Sequence, residues 1–127
     1  MVETKQVLQI ITNYLQALER GDYEAIIAVF ENDGVVHSPI YGTRQASDFY
    51  AELFRDTSAS EIAILNTFIN LHDTSTGAGH FRYNWKLKSG VVTTFECVDV
   101  FYFNANGKIK EMSIIYDTFP GCVNQSE

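Results

Sequence analysis

The order of two hydrophobic patterns along the chain restricts the fold more than any other feature of the sequence. In the first part, apolar residues recur at steps of three and four, which is typical of amphipathic helices, whereas the remainder is rich in strand-forming residues. A short extended piece, closed by a proline, is predicted over Val35–Ile40. Helices are predicted over Thr4–Arg20, Tyr23–Glu31 and Thr43–Asp56. Strands are predicted over Glu61–Leu71, Gly79–Leu87, Val91–Phe103 and Lys108–Thr118.

The connections between the last strands are short and rich in turn residues. Lys88–Gly90 and Asn104–Gly107 each fit a tight turn, so these strands are predicted to pair as antiparallel hairpins. Three helices followed by an antiparallel sheet indicate an α+β fold. A chain of 127 residues has room for one domain, which we expect over residues 1–120, with a loose C-terminal tail over residues 121–127.

Charge and cysteine usage exclude several classes of partner. Nine Lys and Arg against sixteen Asp and Glu give a formal net charge of −7, and no basic cluster could follow a phosphate backbone, so nucleic-acid binding is not expected. No segment approaches the roughly 20 apolar residues of a membrane span or has the pattern of a signal peptide. The two cysteines fit neither a CxxC motif nor a zinc site. We therefore expect a cytoplasmic protein.

One carboxylate interrupts an apolar strand face. Asp99 has the same parity as four apolar residues of its strand, so alternation places it among them: Phe95, Cys97, Phe101 and Phe103. An ionised carboxylate is costly to bury, and burial raises its pKa, so a neutral Asp99 could donate a hydrogen bond to an oxyanion. The alternative is that this face meets solvent or a partner at Asp99, or that a bulge turns the side chain outward.

A tyrosine on the first helix is the second candidate. Tyr14 lies on the apolar stripe of Thr4–Arg20, and its hydroxyl needs a partner once buried. The alternative is a core tyrosine that bonds to the backbone or to water. Aromatic residues make up 13% of the chain, which is enough to build a core or to line an apolar cavity. An inward phenol together with an inward acid favours a dry pocket with two hydrogen-bond donors.

Several segments resemble one superfamily. The runs Tyr14–Tyr23 and Ile26–Asp33, with the later Val98–Asn104 and Gly107–Ile109, resemble the ketosteroid isomerase and SnoaL-like polyketide cyclase branches of the nuclear transport factor 2-like (NTF2-like) superfamily. The closing Ile115–Asp117 is more similar to the cyclase-like members. The resemblance covers nearly the whole chain in element order. It is specific for the fold, but this scaffold hosts many chemistries.

The resemblance implies a cone-shaped, cystatin-like fold. A curved antiparallel sheet would carry the three N-terminal helices on its concave face, with an apolar pocket between them and usually a homodimer through the sheet. Tyr14 matches the oxyanion-hole tyrosine of ketosteroid isomerase, and Asp99 matches its protonated aspartate. Ser38, just before Pro39, occupies the position of the aspartate that transfers the proton. A serine hydroxyl is a poor base at neutral pH unless another group activates it.

Two further polar groups depend on which way their strands face. Histidine is a common acid–base residue, so His37 is a candidate base or pocket-mouth group, although strict alternation points it away from the face of Ser38 unless a bulge intervenes. In the strand that begins at His80, either the side with Arg82 or the side with Trp85 faces the pocket. The first would resemble the water-activating sites of limonene-epoxide-hydrolase-like members. We predict that the Trp85 side faces apolar surroundings, either a cavity or a dimer interface, because Trp and Phe rarely form a solvated stripe.

Together these features predict a small-molecule-binding protein. The ligand would be an apolar, carbonyl-bearing molecule such as a steroid, polyketide or terpenoid, and the activity that of an acid–base isomerase, cyclase or dehydratase. The alternative is a non-catalytic ligand carrier or dimerisation module. No metal, nucleotide or flavin is implied, because the sequence contains no ligand cluster or glycine-rich phosphate loop. Predicted substrate-binding residues are Leu18, Val36, Ser38, Ile40, Phe54, Trp85, Cys97, Phe101, Met112, Ile114 and Tyr116.

Overall fold

The computed structural model describes residues 2–116 of the chain. These residues form three helices and one six-stranded sheet, as the α+β prediction requires. The helices are α1 (Thr4–Arg20), α2 (Tyr23–Ala28) and α3 (Ala46–Asp56). The strands are β1 (Phe30–Ser38), β2 (Gly42–Gln45), β3 (Thr57–Ile69), β4 (Thr76–Leu87), β5 (Val92–Phe103) and β6 (Ile109–Ile115). The predicted tail, residues 121–127, lies outside the described residues.

The sheet has the strand order β2-β1-β6-β5-β4-β3. Strands β3 to β6 pair as antiparallel neighbours, so the predicted hairpins are confirmed. The helices pack against the concave face of this curved sheet, which leaves the opposite face, here called the outer face, without a helical layer. None of the helices within residues 2–116 is long and apolar enough to span a membrane.

The first helix ends where the sequence predicts. Gly21 adopts a left-handed conformation with φ of 66°, and Asp22 accepts a hydrogen bond from the backbone N–H of Ala25 at 3.1 Å to cap α2. Beneath α1, Gly79 on β4 lets the helix approach the sheet, because a methyl group there would lie 3.1 Å from Ile11 Cγ2. This close packing brings Tyr14 down toward the strands.

Two predicted helices are shorter at the ends that join the sheet. The expected helix Tyr23–Glu31 ends at Ala28, because Phe30 pairs with Ile109 of β6 as the first residue of β1. The expected start of the third helix at Thr43 moves to Ala46, because the preceding residues form β2 and pair with β1. In both places strand pairing outweighs the local helical pattern.

Burial along β5 confirms the predicted alternation. From Cys97 to Phe103 every second residue is buried, and the residues between them are only half-buried. On β4 the aromatic residues are on the buried side, whereas Arg82 lies on the outer face, with 51% of its side chain exposed and a 3.6 Å contact to Glu96. The prediction that the Trp85 side of this strand faces apolar surroundings is confirmed.

Candidate functional site

A cavity opens between α1, α3 and the concave face of the sheet. Its volume is about 50 Å³, which is room for a few water molecules. Most of its wall is aromatic or aliphatic. The apolar lining consists of Leu18, Ile40, Phe49, Leu53, Phe81, Phe95 and Ile114, and the lining with polar atoms of Tyr14, Ser38, Tyr41, Tyr83, Trp85, Cys97, Asp99 and Tyr116.

Asp99 lies in the wall of this cavity. It is 1% exposed and is the one charged residue among the buried residues of the described chain. It stands between Gly79 of β4 and Ile114 of β6, and the Sγ of Cys97 donates a hydrogen bond to its Oδ1 at 3.3 Å. Burial raises the pKa of Asp99 to about 7, and the hydrogen bond from Cys97 opposes part of that rise. Both protonation states are therefore populated near neutral pH.

Tyr14 is held by a second tyrosine. The hydroxyl oxygens of Tyr14 and Tyr50 lie 2.5 Å apart, and both side chains are fully buried. The Tyr14 ring packs edge-on against Phe101 with centroids 5.2 Å apart. Burial raises the pKa of Tyr14 well above its ordinary value, and nearby Tyr50 and Asp99 raise it further. The phenol thus stays protonated and can donate a hydrogen bond.

Tyr50 is a site residue that was not predicted from the sequence. Its signal is present, since α3 buries residues at helical spacing: Ala46, Phe49, Tyr50 and Leu53. A tyrosine on such a stripe carries the same need for a hydroxyl partner that singled out Tyr14. The two inward phenols share one hydrogen bond, and the Tyr50 hydroxyl also lies 3.9 Å from Sδ of Met112.

Cys97 is a donor and not a nucleophile. Burial raises the pKa of its thiol far above the ordinary value, and Asp99 raises it further. A protonated, desolvated thiol is unreactive, because the thiolate is the nucleophilic form. Its part in the site is the hydrogen bond to Asp99.

The structure brings most of the predicted ligand-binding residues to the cavity but not all of them. Val36, Phe101 and Met112 are fully buried below it, because they pair side by side across β1, β6 and β5 and close the floor as core. Phe54 instead lines a separate polar cleft at the end of α3. The residues found in the wall are Leu18, Ser38, Ile40, Trp85, Cys97, Ile114 and Tyr116, together with Tyr14 and Asp99.

The structure does not bring His37 to the cavity. Its ring lies on the outer face, where Nε2 is 2.7 Å from Oε2 of Glu111 and Nδ1 is 2.9 Å from Oγ1 of Thr43. The pairing of β1 with β2 is regular through this stretch, so no bulge turns the side chain inward. The candidate role of His37 as a base is corrected by this placement, because the strand backbone separates its imidazole from the cavity.

Ser38 faces the cavity but has a local structural task. Its Oγ accepts hydrogen bonds from the backbone N–H groups of Ile40 and Tyr41, at 3.2 and 3.1 Å, and so fixes the turn between β1 and β2. Within residues 2–116 its hydroxyl has no contact with a basic side chain that could activate it as a base.

Most polar atoms in the aromatic wall are paired with neighbouring side chains. Nε1 of Trp85 donates to Oγ1 of Thr57 at 2.8 Å, and the hydroxyl of Tyr41 donates to Oδ2 of Asp56 at 2.8 Å. The rings therefore present apolar surfaces inward. Such a wall binds an apolar body, and specificity then depends on a few polar groups.

Comparisons with known proteins agree with this architecture. The sequence matches the SnoaL-like domain family over residues 11–112. SalBIII, an epoxide hydrolase/cyclase-like enzyme with a role in pyran ring formation in the polyether salinomycin, has a similar structure, with a TM-score of 0.80 at 19% identity over 93% of this chain and 95% of that chain. A candidate polyketide cyclase from Pseudomonas putida KT2440 has a TM-score of 0.78 at 18% identity, over 92% of this chain and 96% of that chain. An NTF2-like protein from Exiguobacterium sp. 255-15 has a TM-score of 0.72 at 17% identity, over 86% of this chain and 98% of that chain.

At these identities the structural similarity establishes an NTF2-like fold and leaves the reaction open. The family match extends from α1 to β6 and so includes the elements that carry both Tyr14 and Asp99. The chain is therefore a member of the SnoaL-like domain family within the NTF2-like superfamily.

Proposed function

We propose that this protein binds a small apolar molecule with a carbonyl or enol oxygen and transfers a proton on it, in an isomerase-, cyclase- or dehydratase-type reaction. The observation that carries the proposal is Asp99, a buried carboxyl group in the wall of an apolar cavity, with a pKa of about 7. Such perturbed groups in clefts are typical of acid–base sites. Family membership and the cyclase-like structural neighbours support the same type of role.

Asp99 is the group that we assign to proton transfer. His37 lies on the outer face, Ser38 is tied to the turn, and Cys97 keeps its proton. Among the cavity-lining residues in the described part of the chain, Asp99 alone has a pKa near neutrality. Its ionised form would accept a proton from the carbon beside the ligand carbonyl and return it at another position. This role differs from the neutral donor that the resemblance implies, because no other group remains to take the proton.

Tyr14 would stabilise the negative charge that develops on the ligand oxygen. Its phenol stays protonated, and Tyr50 can donate to the Tyr14 oxygen while Tyr14 donates to the ligand. A buried donor fixed in advance stabilises an oxyanion strongly, since little water competes and little reorganisation is needed. The two tyrosines would thus form a relay of hydrogen bonds that ends at the ligand.

The size of the cavity favours small ligands within the predicted class. About 50 Å³ is well below the roughly 300–1,000 Å³ of sites that hold drug-sized molecules. We therefore propose a ligand with a body of about one ring, in preference to a tetracyclic steroid.

A non-catalytic ligand carrier is the second candidate. The observation that favours it concerns Ser38, which stands where ketosteroid isomerase has its proton-transferring aspartate. Its hydroxyl oxygen accepts hydrogen bonds from the backbone of its own turn. A carrier would use Tyr14 and Asp99 only as hydrogen-bonding partners for the bound molecule.

Turnover of a β,γ-unsaturated cyclohexenone distinguishes the two candidates. We expect the wild-type protein to form the conjugated ketone, detected by its ultraviolet absorbance, with kcat/KM increasing as the pH rises through about 7 because ionised Asp99 is the base. Asp99→Leu should remove this activity. Binding of phenol without turnover at any pH would instead identify a carrier. A rate that falls as the pH rises through about 7 would contradict the base role and favour a neutral donor.

We also propose that two copies pair through the outer face of the sheet. Phe68, Ala78 and Val100 lie side by side across β3, β4 and β5, and Ile115 of β6 lies opposite Val98, two residues along β5 from Val100. Phe68 and Ile115 are 53% and 54% exposed, which is unusual for large apolar residues on a sheet. Charges of both signs flank this patch, including the Arg82–Glu96 pair, so the patch can complement a second copy of itself.

The substitution Ile115→Lys tests this association. In a symmetric dimer each substitution acts twice, so we expect the dimer dissociation constant to increase by at least about tenfold. The measurement is sedimentation velocity at micromolar concentration. Leu71→Lys is the matched control, because Leu71 is 94% exposed and lies outside β3 and β4. A wild-type protein that sediments only as a monomer would contradict the proposed dimer.

A further inference from the structure

One hydroxyl in the cavity wall has no hydrogen-bond partner within residues 2–116. The OH of Tyr116 is buried, and nothing in the described chain bonds to it. Its ring packs against Phe95 with centroids 4.7 Å apart and lines the cavity beside Ile114. An unpaired buried hydroxyl lowers the stability of the folded protein, so its presence requires an explanation. A ligand that supplies the missing hydrogen-bond partner provides such an explanation.

Other polar side chains of the cavity wall do have hydrogen-bond partners. Tyr83 is a matched case, because its hydroxyl lies 3.1 Å from Oγ of Ser60 and is therefore already paired. Trp85 and Tyr41 are paired likewise. The polar groups left for a ligand are therefore concentrated at two places, the Asp99–Tyr14 pair and Tyr116.

The strand register gives the displacement between the backbone positions of these two places. Asp99 is directly opposite Ile114 of β6, and Tyr116, just beyond the end of this strand, is two residues further along and lines the same cavity. At about 3.3 Å per residue, the two positions are displaced by about 7 Å along the strand direction. Relative to Asp99, Tyr116 is displaced toward Phe95 and away from Phe101 and Met112, which form the floor of the cavity. One ring fits between two such points.

We propose that the ligand has two polar ends, an oxygen that Tyr14 holds beside Asp99 and a hydroxyl or carbonyl group that pairs with Tyr116 across one apolar ring. This inference rests on the binding site of the proposed function but not on turnover. The pKa of Tyr116 is raised to about 12 by burial, so its hydroxyl stays protonated and can donate to a carbonyl or accept from a hydroxyl.

Calorimetric titration with hydroquinone and para-cresol tests the second polar end, because the probes differ only in a hydroxyl against a methyl group. We expect Tyr116→Phe to weaken hydroquinone binding about five- to tenfold, the effect of one lost hydrogen bond, and to change para-cresol binding less than twofold. Tyr83→Phe makes the same chemical change at a hydroxyl that is already paired. We expect it to weaken neither probe selectively.

Thermal unfolding of the ligand-free protein provides an independent readout. Because Tyr116→Phe removes an unpaired buried hydroxyl, we expect its Tm to rise by about 3–5 °C, whereas Tyr83→Phe should show no such rise. Equal losses for both probes in Tyr116→Phe, or none, would overturn the two-ended ligand and leave the proposed function standing. A wild-type protein that binds neither probe would overturn both proposals.

Discussion

Replacing Tyr14 by phenylalanine is expected to lower kcat/KM for the β,γ-unsaturated ketone by about 10²–10³-fold, the usual effect of removing one oxyanion donor. The phenol is buried and protonated, so its hydrogen bond forms where little water can replace it. The loss should appear mainly in kcat, because the donor stabilises charge that develops in the transition state. Steady-state kinetics by absorbance provides the measurement.

Two further tyrosine variants make the result specific. Tyr50→Phe should lower kcat by about tenfold only, since Tyr50 is a positioning residue that acts through its contact with Tyr14. Tyr23→Phe should leave the rate unchanged, because the Tyr23 hydroxyl donates to the backbone oxygen of Ser47 and does not line the cavity. Equal rates for Tyr14→Phe and Tyr23→Phe would refute the role of Tyr14.

The local elements were predictable, but the pairing between distant strands was not. Gly21 and Asp22 end and begin helices by short-range chemistry that is visible in the sequence. The parallel pairing of β1 with β6 joins residues that are far apart in the chain, and no turn between them specifies a register. For the same reason Phe30 was predicted as helical, although β6 holds it in the sheet.

The site was predictable where a residue breaks a pattern and not where it follows one. Asp99 and Tyr14 stand out because a polar group occupies an apolar position. Val36 and Met112 follow the apolar pattern, and periodicity gives the face of a strand but not the depth along it, so core and cavity wall look alike in the sequence. Only the register shows that these two residues close the floor.

The pH dependence of stability should report Asp99 directly. Burial raises its pKa from 3.8 to about 7, so the native state holds a proton that the unfolded chain releases from about pH 4 upward. The contribution of Asp99 to the free energy of unfolding is therefore fully present below about pH 4 and is lost as the pH rises to about 7. Three pKa units correspond to about 4 kcal/mol. Asparagine cannot titrate, so the Asp99→Asn variant should not lose this stability. We expect its free energy of unfolding, measured with urea, to increase relative to that of the wild type by about 4 kcal/mol as the pH rises from ~4 to ~8.

The difference between the two unfolding curves isolates Asp99, because every other titrating group is common to both proteins and cancels. Asp33→Asn makes the same chemical change at an exposed position and controls for the loss of one negative charge in a chain of net charge −7. Its curve should run parallel to that of the wild type. Should Asp99→Asn also run parallel, the native carboxyl would be ionised across the whole range, and its assignment as a group poised to exchange a proton near pH 7 would be wrong.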